Sequence, residues 1–250
     1  MTGGTESQLS PLLRLVSLPG MGPARLAAVL RSHTAAEAVR LVSDGHLTEL
    51  TTTDGRRLCT EAVLATWCSG LARLDGDALL AAHRAAGVHV AGPAALTGPP
   101  WTTDPEPPQV LFIQGRPLQV DAPTVGIVGT RRCTAYGRAV AGELAAGLAT
   151  AGVAVVSGVA AGIDGAAQRA ALDVGGLVVG VVGSGLDRPY PRTNRDLWAR
   201  LAREGTLVSE YPLGTEPARW RFPARNRLIA ALSDVVVVVE SPATGGSMKP

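Results

Sequence analysis

Four short segments of this sequence combine glycine, small hydroxyls and charge just after runs of branched aliphatic residues. They are Gly129-Thr-Arg-Arg, Ser157-Gly-Val-Ala-Ala-Gly-Ile-Asp164, Gly183-Ser-Gly-Leu-Asp187 and Ser209-Glu-Tyr-Pro212. Glycine lets a backbone approach a ligand closely, and a turn that opens a helix leaves N–H groups without intrahelical partners. Gly129, Thr130, Ser157, Gly158, Gly162, Gly183 and Gly185 are therefore expected to shape a crevice whose chemistry is anion recognition. A fifth segment, Arg219-Trp-Arg-Phe-Pro-Ala-Arg-Asn-Arg227, is the densest cationic stretch and sets Trp220 and Phe222 among four arginines. Cations interleaved with aromatics suit a single-stranded nucleic acid, whose phosphates pair with charge and whose bases stack on rings. A solvated helix start with one packed aromatic has the same composition. Its place just before the last valine-rich run, level with the other loops, favours the nucleic-acid reading.

Most enzyme signatures are missing. Lys249 is the sole lysine, so no Gly-x4-Gly-Lys-Ser/Thr phosphate loop exists, and Gly183-Ser-Gly185 is a bare Gly-x-Gly. Every histidine lies at or before His89, which rules out a Ser-His-Asp triad in the second half. Asp164, Asp187, Glu210 and Glu240 reach the loops, and a pair of them could transfer protons. Asp164 falls in the first turn of an expected helix, where a carboxylate complements the helix dipole, so the structural role is favoured. Thr193, three residues before Asp196, is expected to cap the next helix through its side chain. No catalytic residue, metal site or cofactor is expected.

These loops need a scaffold, and the aliphatic runs supply it. VGIV (125–128), VAVVS (153–157), LVVGVV (177–182), TLVS (206–209) and DVVVVVE (234–240) read as strands. Between them, 137–151, 163–174, 194–203 and 224–232 read as helices. The first carries Val140, Leu144 and Leu148 on one face. The second carries a stripe of Ile163, Ala166, Ala167, Ala170, Ala171 and Val174. Such alternation specifies an α/β fold with a Rossmann-like, doubly wound, mostly parallel sheet over 124–250, which binds ligands beyond the carboxyl ends of its strands. Residues 92–123 hold eight of the eighteen prolines, which excludes helix and marks a connector, with 110–115 as a short edge strand. Residues 1–91 read as a small helical domain, helical over 11–90. Its Leu-Pro-Gly20-Met-Gly22-Pro turn is either a helix-hairpin-helix whose amides meet phosphate or a plain corner between helices.

Composition sets wide limits. A chain of 250 residues with 46 % hydrophobic and 18 % charged residues is globular, and a formal charge of +2 does not by itself announce a nucleic-acid partner. The positive excess falls in the second half and is almost wholly arginine, which fits either phosphate recognition or a coding bias. The three cysteines form no Cys-x-x-Cys pair and no disulfide framework. There is no secretion signal and no apolar run long enough to span a membrane, so a cytoplasmic location is expected.

These blocks in this order resemble the DprA/Smf family. The match runs through Val128-Gly-Thr-Arg131 with Tyr136-Gly137, Val156 to Asp164, Gly183 to Asp187, Tyr190-Pro-Arg-Thr-Asn194, Ser209 to Pro212, Phe222 to Ala230 and Leu232-Ser233, closely over 110–250 and more loosely before it. The resemblance implies a protein that binds single-stranded DNA during natural transformation, protects it and helps to load the RecA recombinase, typically as a homodimer. It implies DNA contacts at Arg131, Arg192, Arg225 and Arg227, with Asn194 and Asn226 in the crevice-shaping set. Two departures stand out. Ala167-Gln168 occupies the place of the family's Ala-His, and the family continues beyond its Ser-Gly-Ser block with a helix and further strand where this sequence ends at Pro250. A chain truncated within the sheet domain is therefore expected, with an exposed Val235–Val239 strand and weakened dimer and RecA contacts. The competing assignment is a nucleotide hydrolase resembling the lysine-decarboxylase-like phosphoribohydrolases, of whose glycine-rich loop Gly245-Gly246 is an echo.

Overall fold

The computed structural model describes residues 6–47, 51, 58–96, 101, 104, 106–118 and 122–242. The chain divides into two compact units, Met1–Phe112 with Glu210–Pro212, and Ile113–Ser209 with Leu213–Pro250.

The first unit is built on helices α1 (Glu6–Val16), α2 (Pro23–Leu30), α3 (Ala35–Ser43), α4 (Glu61–Leu71) and α5 (Gly76–Ala85). Their apolar stripes bury Leu12, Leu13, Leu15, Leu26, Val29 and Trp67 in one core. Thr34 and Glu37 form a reciprocal capping box at α3. The expected helical stretch ends early: Val88–Ala91 is a strand, β1, followed by a three-residue 3-10 turn at Pro93–Ala95 inside the proline-rich connector. β2 (Leu111–Gly115) is the short strand expected there, but it is an interior strand with Leu111 and Phe112 buried rather than an edge. At the Gly20–Gly22 turn, Met21 N–H donates to Leu18 O and Gly22 N–H to Gly20 O. Arg25 clamps the loop carbonyls of Gly20 and Leu58, and the Trp67 indole donates to Pro19 O at 2.9 Å. Both of those amides are engaged.

The second unit alternates β3 (Thr124–Val128), α6 (Ala135–Thr150), β4 (Ala154–Ser157), α7 (Ile163–Asp173), β5 (Val178–Val182), α8 (Arg195–Glu204), β6 (Thr206–Ser209), α9 (Arg221–Ala231) and β7 (Val235–Val238). Here the strands run in the order β6-β5-β4-β3-β7, all in parallel, with Val125 opposite Val155, Val156 opposite Val179, Leu207 opposite Gly180 and Ile127 opposite Val237. β4, β5 and β6 are buried throughout, as continuous apolar strands between two helical layers must be. In β7, Val235, Val236 and Val238 are exposed. The fully buried stripe of α6 is Gly137, Ala141, Ala145 and Ala149 rather than Val140, Leu144 and Leu148. Next to this stripe α6 faces α7: a Cβ added at Gly142 would make ordinary contact, 3.6 Å, with that of Ala170. Val174, expected on the buried stripe of α7, lies beyond its end and is exposed.

Candidate nucleic-acid interface

The loops after β3, β4 and β5 lead into α6, α7 and α8, so their residues gather at the carboxyl ends of the parallel strands. The floor of this rim is an ion pair. Arg225 of α9 is 5 % exposed and Asp164 of α7 is 4 % exposed, with Nη2 and Oδ2 3.9 Å apart. Arg225 also donates to Val181 O at the end of β5 and, through Nε, to Phe222 O. Its guanidinium lies against Gly158, where any Cβ would collide with it. Burial pulls the Arg225 pKa down to about 10, against the attraction of Asp164 and helped by repulsion from Arg131, which still leaves it protonated at neutral pH. Burial also raises the Asp164 carboxyl, opposed by Arg225 and by N–H donors from Gly129, Gly158 and Ala160. Arg225, expected on the surface against phosphate, is thus a buried counter-ion beneath the rim. Its burial and its bonds to Val181 O and Phe222 O turn the guanidinium inward, beneath the rim.

The loop after β4 is held in an unusual backbone. Val159 has φ +56°, a left-handed value that a β-branched residue rarely adopts. Gln168 is fully buried and supports it: its Oε1 accepts from Val159 N–H at 3.1 Å, while Nε2 donates to Ser157 O at 3.3 Å and to Val179 O at 3.1 Å. Asn194 Nδ2 donates to Val159 O and Ala160 O at 3.1 and 2.9 Å. Asn194 also occupies the N-cap position of α8, behind a 3-10 turn at Arg192–Asn194, so Thr193 does not cap that helix. The 3-10 turn shifts the helix start by one residue, and Asp196 turns to Arg169 instead. The Ser157 hydroxyl donates to Ile127 O at 2.6 Å and belongs to the sheet.

Many of the rim amides are already engaged. Gly158 N–H donates to Asp164, Thr130 N–H to Glu240 O, Ile163 N–H to Thr130 O, Gly165 N–H to Ala160 O and Gly185 N–H to Thr215 O. At the point where the strand order reverses, between β3 and β7, the Glu240 carboxylate accepts from Thr134 N–H and hydroxyl, closing the start of α6. Asp187 accepts from Gly214 N–H at 2.8 Å. The expectation of a rim of free amides therefore gives way to one whose anion-binding capacity lies in side chains. Of the fourth loop, Glu210–Pro212 group with the first unit, and the Ser209 hydroxyl donates to Ser184 O at 2.8 Å.

Those side chains are cations and rings. The Arg131 guanidinium stacks on Phe222, 5.0 Å from its centroid, and Tyr190 stacks on Phe222 at 5.1 Å and 21°. Arg221 lies over Trp220 at 5.0 Å, and Trp220 is 59 % exposed. Arg131 and Arg192 are exposed, whereas Asn226 and Arg227 are half-buried on α9. Among the described residues Arg131, Arg132, Arg192, Arg195 and Arg219 make no ion pair, while Arg169, Arg188, Arg200 and Arg203 are matched to acids. Gly129 packs on Ile163, Gly162 with φ +82° on the Thr130 carbonyl, and Gly183 on the backbone of Arg221. Sequence reasoning missed Gln168 and Glu240 as struts and Arg195 altogether, while Arg132 and Arg219 lay in segments it named without being singled out as contacts. These arginines could have been found as cations set at or just before helix N-termini, where the dipole disfavours them. Among the described residues no cluster of His, Cys, Asp and Glu could hold a metal ion, and no helix is long and apolar enough to cross a membrane. Gly245-Gly246 lies outside the described residues.

Residues 99–250 match the family DNA recombination-mediator protein A. A putative DNA processing protein DprA of Mycobacterium tuberculosis is 52 % identical over 143 residues, covering 56 % of this chain and 36 % of that protein, so the chain spans little more than a third of this relative's length. The X-ray structure of DNA processing protein A from Streptococcus pneumoniae superposes with a TM-score of 0.74 at 28 % identity, over 99 % of this chain and 82 % of that one. A structure of DNA processing protein A from Helicobacter pylori, described for its single-stranded DNA binding mode, gives 0.57 at 36 % identity over 61 % and 71 %. On the family match over more than half its length, the chain belongs to the DNA recombination-mediator protein A family.

Proposed function

We propose that this chain binds single-stranded DNA along the carboxyl-end rim of its parallel sheet, through Arg131, Arg192 and Arg227 with Arg132, Arg195 and Arg219, and with Phe222, Tyr190 and Trp220 as stacking surfaces. The observation that carries this reading is the placement of unpaired arginines at helix starts. Arg131 and Arg132 precede α6, Arg192 and Arg195 open α8, and Arg219 precedes α9; α6 and α9 have no acid in their first turn. A cation beside a helix N-terminus costs about 0.3–1 kcal/mol, and although Glu240 supplies an internal anion at the start of α6, the first turn of α9 has none, so several such cations together point to an anion from outside the fold. Rings beside cations make that anion a strand with unstacked bases. Gly129, Thr130, Gly158, Gly162, Gly183, Gly185 and Asn194 shape the loops that present these groups, and the relative from Helicobacter pylori supports the choice of ligand. The role served on this reading is the one the family resemblance implies: protection of incoming single-stranded DNA in the cytoplasm and its delivery to RecA recombinase by a homodimer, without catalysis.

The test is a fluorescence-anisotropy titration of labelled single-stranded and duplex oligonucleotides at moderate salt. The expected result is tighter binding of the single strand with little sequence dependence, and no hydrolysis of AMP-type nucleotides. Equal or tighter binding of duplex overturns the proposal, and nucleotide turnover without DNA binding favours the hydrolase.

A further inference from the structure

Between α6 and α7 lies a cleft of about 310 Å³, lined by Arg138 and Gly142 from the first helix, Ala166 and Arg169 from the second, and by Gly162 and Asn194. It adjoins the rim. Gly162 packs against the backbone of Thr130 and Arg131, whose carbonyl oxygen would lie 2.9 Å from an added Cβ. Its glycines and alanines keep the space open, and its volume suits a single nucleotide unit rather than a duplex. The charge is unbalanced in one direction. Arg138 is exposed and makes no ion pair among the described residues. Asp173, an acid on the lining, is bound by Arg200 at 2.7 Å, and Arg169 is bound to Asp196.

We infer that this cleft is a second site for the DNA strand, taking a sugar-phosphate unit beyond those held at the rim, with Arg138 as its phosphate partner. The inference rests on the single-strand reading above. Arg138 sits in the first turn of α6, where the helix dipole opposes its charge, as it does for the rim arginines. A glutamate at this position is favoured by the dipole, so Arg138→Glu is expected to fold and melt like the parent chain.

The experiment compares wild type, Arg138→Ala and Arg138→Glu on oligothymidines of about six and about twenty-five nucleotides, lengths chosen to lie within and beyond a single-strand site. Arg138→Glu is expected to weaken the long oligonucleotide about tenfold or more and the short one less than about twofold. Arg138→Ala is expected to lower the salt slope for the long strand by about 0.7, the value of one phosphate contact. Equal losses at both lengths assign Arg138 to the rim and overturn the second site. No loss at either length shows that no strand enters the cleft and also overturns it. Failure of wild type to bind either length removes the rim reading itself, an outcome distinct from the other two.

Discussion

The Glu240 carboxylate accepts hydrogen bonds from the Thr134 backbone N–H at 3.1 and 3.0 Å and from the Thr134 hydroxyl at 2.9 Å, while that hydroxyl accepts from Gly137 N–H. An anion from β7's end thus fills the place at the start of α6 where an open α/β sheet would receive a phosphate. Gly137 accommodates it, since a side chain there would strike the carboxylate.

Removing that internal anion should open the site. Glu240→Ala is expected to lower stability by about 1 kcal/mol through loss of the cap and charge–dipole attraction. Added sulfate should then raise the melting temperature of the variant more than that of wild type, as an external anion takes the vacated Thr134 N–H and hydroxyl. The same sulfate response in both proteins would show that the carboxylate is not blocking an anion site.

Arg225 and Arg131 should separate cleanly, although the sequence presents both as candidate DNA contacts. Arg225→Met leaves the Asp164 carboxylate buried without its counter-ion, and such broken pairs cost about 3–5 kcal/mol. The loss should depend on pH. Asp164 already titrates above the ordinary value of 3.8, and without Arg225 it rises further. A raised folded-state carboxyl pKa favours the fold at low pH and loses that contribution as pH rises through it, so the gap between variant and wild type should widen from acid to neutral pH. Urea melts at several pH values measure it. A variant that melts like wild type while binding DNA poorly would return Arg225 to the surface role.

The surface pair of Arg169 and Asp196 has the opposite sign. Its hydrogen bonds hold the Asp196 carboxyl down at about 2, below its ordinary 3.8. A depressed pKa contributes stability above the unfolded value and loses it as pH falls toward 2. Because the Asp196 side chain is largely exposed, solvent screening limits the contribution to about 0–1 kcal/mol. Asp196→Asn should therefore be slightly less stable than wild type at neutral pH, with the difference vanishing in acid. A difference that persists below the window would assign the effect to packing at the start of α8.

The sheet was legible because Val-rich runs of four to seven residues between helical stretches admit few other folds, and β6 is found at 206–209 as read. Residues whose role depends on a distant partner were not legible. Nothing local distinguishes Arg225 from Arg227, since the Asp164 and Val181 groups that claim the former come from other elements. Gln168 stands out in the sequence only as a departure from the family's Ala-His, yet it is the strut that holds Val159 at φ +56°. Thr193 satisfies a capping pattern, but Asn194 is drawn to the β4 loop and the helix begins one residue later. Local pattern predicted elements well and misjudged the groups whose hydrogen bonds cross between them.

The stack of Arg131, Phe222 and Tyr190 permits the sharpest division between charge and stacking. Arg131 lies on an exposed loop, with its guanidinium carbon over one ring that is itself stacked on another. If Arg131 pairs with a phosphate, Arg131→Ala should lower the salt slope for single-strand binding by about 0.7 and weaken all sequences alike. Phe222→Leu removes no charge, so it should leave the slope unchanged while losing about 1–3 kcal/mol of base stacking. Arg131→Lys keeps the charge but not the planar face, and should keep the slope with a smaller loss of affinity. Arg192→Ala, on an exposed residue with no ion-pair partner among the described residues, should follow Arg131→Ala in slope and leave the melting temperature unchanged. Titrations at four or so salt concentrations distinguish these cases. If Arg131→Ala leaves the slope intact, the arginine serves only to brace Phe222 and the phosphate must be met elsewhere. If Phe222→Leu changes nothing, the ring is a packing residue and the strand is held by charge alone.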